Sequence, residues 1–140
     1  MLAIGSDHGG FALKAEIMEH LNAAGVQYKD FGAFSADSTD YPVYGKAVAQ
    51  AVASGEYERG ILICGTGIGV SMVANRVQGA RAALCGDCFS AEMARAHNDA
   101  NILCLGGRVV GIGPAMKIVD VFLNTRFEGG RHAQRIGMLD

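Results

Sequence analysis

Four short apolar runs, Leu2 to Ile4, Gly60 to Cys64, Ala80 to Leu84 and Ile102 to Leu105, constrain the fold more than any other feature of the sequence. None alternates apolar with polar residues, and each is bounded by glycine or polar positions, as expected of strands buried on both faces. They predict a parallel sheet. Between them lie segments with helical spacing: Leu13, Ile17 and Leu21, then Tyr44, Val48 and Ala51, and last Ala115, Ile118 and Phe122. Each stripe is suited to cover one face of that sheet. Val26 to Phe31 is a weaker strand candidate. Gly32 to Tyr41 reads as a polar loop stopping at Pro42, a favoured first helical residue, and Pro114 is placed likewise before the last helix. The alternation predicts an α/β fold: a three-layer, doubly wound (Rossmann-like) parallel sheet with helices on both faces. Right-handed crossovers and a ligand crevice at the carboxyl ends of the strands follow from it. With 140 residues, half of them hydrophobic, the chain is expected to form one domain, 1–140, whose core needs no metal or disulfide.

Interspersed charges and a formal net charge of -2 leave no basic field for nucleic acid and no polybasic run for a membrane. Anionic ligands must therefore be held locally. The apolar run after Met1 is broken at Gly5, too soon for a signal peptide or a membrane span, which predicts a cytoplasmic protein. In such a compartment Cys64, Cys85, Cys88 and Cys104 read as free thiols. Cys85 and Cys88 have the spacing of a redox or zinc half-site, yet no second such pair exists to complete four ligands. They read as small residues at a strand end, and no metal is expected.

The segments directly after strands, Ser6-Asp7-His8-Gly9-Gly10, Cys64-Gly65-Thr66-Gly67-Ile68-Gly69, Cys85-Gly86-Asp87 and Gly106-Gly107-Arg108, are predicted to meet at one edge. The glycine loop precedes a predicted helix over Val70 to Val77. Its backbone amides make either an anion hole or a tight turn without a ligand. Gly65, Gly67 and Gly69 do not fit the dinucleotide fingerprint, and no Walker lysine follows. Cys64, closing an Ile-Leu-Ile run, is either core packing or a base whose thiolate is favoured by the helix start. Thr66 could offer a hydroxyl to the same ligand. Asp7 is a helix cap or a ligand group, whereas His8 has no structural job in the sequence. His97 ends the helix beginning near Ser90, where it answers the helix dipole or shuttles protons. His20 reads as solvated surface. Arg131 and Arg135, four apart, share a face on a helical turn and form either a phosphate fork or a charged surface turn. Arg108 is a third cation, at another strand end.

Taken in order, Asp7-His8-Gly9-Gly10, Asp40-Tyr41-Pro42, Cys64 to Gly69, His97-Asn98-Asp99-Ala100-Asn101, Gly107-Arg108-Val109-Val110-Gly111 and Gly129-Gly130-Arg131-His132 resemble the ribose-5-phosphate isomerase B and galactose-6-phosphate isomerase family. The resemblance spans nearly the whole chain. It implies aldose-ketose isomerisation of ribose 5-phosphate through an enediolate, with Cys64 as the base and Thr66 as its hydroxyl partner. It also implies that the amides of Gly65 to Gly69, Ile68 included, stabilise the enediolate. His97 would help open the sugar ring, Asp7 would contact its oxygens, and Asn98 would orient the substrate. The phosphate is expected at His8, Arg131 and Arg135, with Arg108 a further contact. Neither metal nor cofactor is required. Family members are dimers or tetramers, so the resemblance implies a homodimer or homotetramer in which His97 and Asn98 face Cys64 across an interface. Some members use a carboxylate further along the loop as base; Ser71 and Asn75 stand nearby here, which places the chain with the cysteine users. The alternatives are a six-carbon substrate such as allose or galactose 6-phosphate, a sugar-phosphate sensor without catalysis, and a thiol-redox role for Cys85 and Cys88.

Overall fold

The computed structural model describes residues 1–140. Strands β1 (Leu2–Ser6), β2 (Tyr28–Asp30), β3 (Arg59–Cys64), β4 (Ala82–Leu84) and β5 (Ile102–Gly106) form one parallel sheet in the order β2-β1-β3-β5-β4. Helices α1 (Phe11–Ala23), α2 (Tyr41–Ala53), α3 (Ile68–Ala74), α4 (Cys88–Ala96) and α5 (Ile112–Asn124) connect or follow the strands, and α6 (Arg131–Ile136) closes the chain. This is the α/β, three-layer arrangement expected. Alternate strand residues serve opposite layers. Leu2, Ile4, Ile61, Ile63, Leu103 and Leu105 pack against α1, α4 and α5, while Ala3, Leu62, Cys64, Ile102 and Cys104 pack against α2 and α3. Each fully buried Ile or Leu contributes about 1.5–3 kcal/mol of transfer free energy. No helix is long and apolar enough to cross a membrane.

Several elements depart from the sequence expectation for identifiable reasons. The buried face of α2 is Gly45, Val48, Ala49 and Val52, rotated from the expected Tyr44, Val48 and Ala51. Missing side chains set that rotation. A Cβ at Gly5 would lie 2.9 Å from Val48 Cγ2, one at Gly60 2.8 Å from Val48 Cγ1, and one at Gly45 3.1 Å from Val73 Cγ1. Helix α3 begins two residues before the expected Val70, because Gly67 caps it in a left-handed conformation, φ 80°. It ends before Asn75, whose side chain donates to the Ala82 carbonyl at 3.0 Å and accepts the Ala82 amide at 2.9 Å. Pro114 lies inside the first turn of α5, where a missing N–H is tolerated. His20 stands at the surface as expected, where its Nε2 lies 2.7 Å from Asp120 Oδ1 and ties α1 to α5.

Candidate active site

The order of the sheet reverses between β1 and β3, and in such sheets the crevice opens at the carboxyl ends of the strands on either side of the reversal. Cys64 is the last residue of β3 and is 5% exposed. Its Sγ accepts the Gly67 amide at 3.2 Å, and Thr66 Oγ1 accepts the Ile68 amide at 3.2 Å. Only glycine suits position 67. Besides its positive φ, a Cβ there would stand 2.5 Å from Leu84 Cδ1 and 2.8 Å from the Leu105 carbonyl carbon.

Neighbouring loops close on this turn from both sides. The Asp7 amide donates to the Ile63 carbonyl, and its Oδ1 accepts the Gly10 amide at 3.2 Å, so Asp7 does cap the short 3-10 turn His8–Gly10. A Cβ on Gly9 would lie 3.0 Å from the Gly65 nitrogen. From β5, Gly107 donates to the Cys64 carbonyl at 2.8 Å and Arg108 to the Gly65 carbonyl at 3.0 Å. The Arg108 guanidinium crosses the face of Gly65, with Nη1 3.3 Å from where a Cβ would be. His8 Nδ1 accepts the Thr39 amide at 3.2 Å, which leaves Nε2 as the proton-bearing nitrogen. Asp7, His8, Cys64, Gly65, Thr66, Gly67, Ile68 and Arg108 thus share one edge. Gly69 joins them beneath Tyr41, whose Cε1 would lie 2.6 Å from a Cβ at that position.

A second group sits at the opposite edge. His97 caps the end of α4, and its ring stacks on His132 with centroids 4.1 Å apart and planes 10° apart. Glu128 Oε1 lies 3.7 Å from His97 Nε2 and 3.5 Å from His132 Nε2. Burial first, and then His97 and Arg131, hold the His132 pKa below its ordinary 6.5. A cavity of about 330 Å³ is lined by His97, Asn98, His132, Arg135, Ile136 and Leu139. Asn98, Arg131 and Arg135 are exposed. The donor atoms of His97, Glu128 and His132 fall within 4.8 Å of one another.

The match to known proteins is of one kind from end to end. The family model described as Ribose/Galactose Isomerase matches residues 2–139. The chain belongs to the ribose/galactose isomerase family. Ribose-5-phosphate isomerase B of Escherichia coli (strain K12) is 52% identical over 135 residues, covering 96% of this chain and 91% of that protein. The solved ribose-5-phosphate isomerase B of Clostridium thermocellum superposes with a TM-score of 0.97 at 54% identity, covering 99% and 93% of the two chains. That of Mycoplasma genitalium, solved with bound ribulose-5-phosphate, gives 0.95 at 45%, covering 99% and 92%.

Within this member of the ribose/galactose isomerase family, the expected residues therefore fall into two sets. Cys64 pairs with Gly106 at the carboxyl end of β5, whereas His97 and Asn98 precede the amino end of β5 at Ile102. Four strand steps between those ends span about 13 Å. No hydrogen bond or ion pair joins the sets. The loop after β4 opens on the same edge as the first set, because β4 runs parallel to β5, but no hydrogen bond ties it to that set. Asp87 caps α4 by accepting the Ser90 amide at 2.7 Å, while Cys85 is buried and its thiol is pushed up to about 11 by burial and by Asp87. Burial also raises the Cys104 thiol. Sequence reading missed Tyr41, the Thr39 amide, Glu128 and His132 as parts of the site. Tyr41 and His132 lay within the quoted motifs, but Glu128 and Thr39 carry no local signal, because only the fold brings them to their histidines.

Proposed function

We propose that Cys64 is the base with which this aldose-ketose isomerase interconverts ribose 5-phosphate and ribulose 5-phosphate. The reading is carried by one observation: a cysteine ends the central strand at the topological switch point, in a chain alike along its length to ribose-5-phosphate isomerase B. The thiolate takes the proton from C2 of the open aldose, the electron pair moves toward the C1 carbonyl oxygen, and an enediolate forms. Returning the proton to C1 gives the ketose, while Thr66 carries the hydroxyl proton between the two oxygens. The Gly67 amide already donates to sulfur and steadies the base, and the Ile68 amide donates to Thr66 Oγ1; the amides of Gly65, Thr66 and Gly69 are left to meet the enediolate, each such donor being worth about 3 kcal/mol in comparable sites.

Asp7 meets the sugar hydroxyls. Nε2 of His8 and the guanidinium of Arg108 meet the phosphate, together with Arg131 and Arg135. Because His97, Asn98, Arg131 and Arg135 stand at the far edge of the sheet, a second copy supplies them, making the working unit a homodimer or a pair of such dimers. His97 then opens the sugar ring over the Cys64 of its partner. Four unpaired cysteines suit a reducing compartment, and the cytosol is assigned on that ground. Turnover of purified protein on ribose, allose and galactose phosphates tests the reading. Conversion of the pentose ester is expected to dominate, and binding without conversion of any ester would replace the enzyme with a sensor.

A further inference from the structure

Lys14 carries a charge yet is sealed completely inside the molecule, at 0% exposure, and nothing in the chemistry above uses it. A buried ammonium is costly unless it is fully paired, and an apolar residue of the same length would fill the space at less expense. Its Nζ donates to Asp30 Oδ1 at 2.6 Å and to the Ala33 carbonyl at 2.6 Å. Both acceptors belong to one segment, the strap from the end of β2 to the start of α2. Asp30 Oδ1 also accepts the Gly32 amide at 2.9 Å. The rings of Phe11 and Phe34 lie 5.6 and 5.5 Å from the same nitrogen.

The strap leads from this anchor to the crevice. Gly32 and Ala33 are clasped to Ser6, immediately before Asp7 and His8, by bonds of 2.7 and 2.6 Å. Six residues beyond Ala33, the Thr39 amide donates to His8 Nδ1, and Thr39 Oγ1 is held 3.1 Å from the Tyr44 hydroxyl. Residues 34–38 between these two ends are exposed. The exposed stretch therefore has few restraints of its own, and the buried cation, together with the bonds to Ser6, holds the end from which Thr39 is positioned.

We propose that Lys14 is a positioning residue for the substrate phosphate: it pins the 30–39 strap so that the Thr39 amide locks His8 as the Nε2–H tautomer, with that N–H facing the phosphate site. This rests on the functional reading above and deepens it. The test is Lys14→Met, which keeps length and bulk while removing the charge and both bonds. KM for ribose 5-phosphate is expected to rise about tenfold with kcat within about twofold, and competition by inorganic phosphate to weaken by the same factor. The ring ¹⁵N resonances of His8 are expected to move from a single tautomer toward a mixture, a change that loss of stability alone would not produce. A folded Lys14→Met protein with unchanged KM, phosphate competition and His8 resonances overturns the proposal. Should that variant not fold, the double variant Lys14→Met with Asp30→Asn removes both charges together and keeps an oxygen for the Gly32 amide, with the same expectation and the same overturning result. A wild type that converts no sugar phosphate refutes the functional reading instead, and the His8 resonances of the variant still decide the role of Lys14.

Discussion

Cys64 combines three conditions on one atom: it ends a strand at the switch point, it is nearly sealed by β1, β5 and α3, and its sulfur is met by a main-chain donor. As the proposed base it would reach a substrate proton only from the crevice side. Cys64→Ala is therefore expected to lower kcat about 10³-fold or more while inorganic phosphate competes for the site as before, measured by steady-state kinetics. Gly67→Ala attacks the same sulfur from behind. The new methyl group collides with Leu84 and with the Leu105 backbone at a left-handed position, which is expected to cost about 2–3 kcal/mol of stability. The displaced turn is expected to lower kcat about a hundredfold, since misplacing a catalytic group by an ångström has that effect; denaturant titration and kinetics on one preparation check both. Of these residues, Cys64 and its glycines were legible from the sequence because strand end, glycine turn and helix start are contiguous. The strap tie from Lys14 to His8 was not, since a lysine between apolar helical positions gives no sign of being buried.

At the level of elements, the last helices show how a packed pair can carry a pH response. Helix α6 buries His132 against His97 at the end of α4, and the folded state holds the His132 imidazole below its ordinary 6.5. Between that lowered value and 6.5 the unfolded chain binds more protons than the folded one. Stability therefore falls as pH drops through 6.5. The thermal midpoint is expected to decline between about pH 7.5 and 5.5, and to decline less in His132→Asn, as scanning calorimetry across that range would show; equal slopes for the two proteins would refute the assignment. Element positions in the sequence were largely readable, because β1, β3 and β5 are uninterrupted apolar runs and α1 and α5 have regular stripes. The rotation of α2 was hidden. It is decided by glycines at 5, 45 and 60, which act by what they lack and leave no apolar periodicity to read.

Across the whole molecule, the parallel sheet imposes a polarity that one chain cannot escape. Every strand end that carries Cys64, His8 or Arg108 faces one edge, and every helix end that carries His97, Asn98 or Arg135 faces the other. The sequence disclosed the alternation of strands and helices, and hence this polarity, but an order with β4 outside β5 depends on packing that no local pattern records. On the proposed reading, in which each site would draw on two copies, two inactive variants are expected to repair each other. Cys64→Ala lacks the base and keeps the ring-opening histidine; His97→Asn lacks the histidine and keeps the base. Re-paired at random around a two-fold axis, half the dimers are mixed, and each mixed dimer holds one intact site of two. Mixing equal amounts after reversible dissociation is thus expected to restore about a quarter of wild-type activity. If instead both sets served one site within a single chain, the mixture would stay as inactive as its parts.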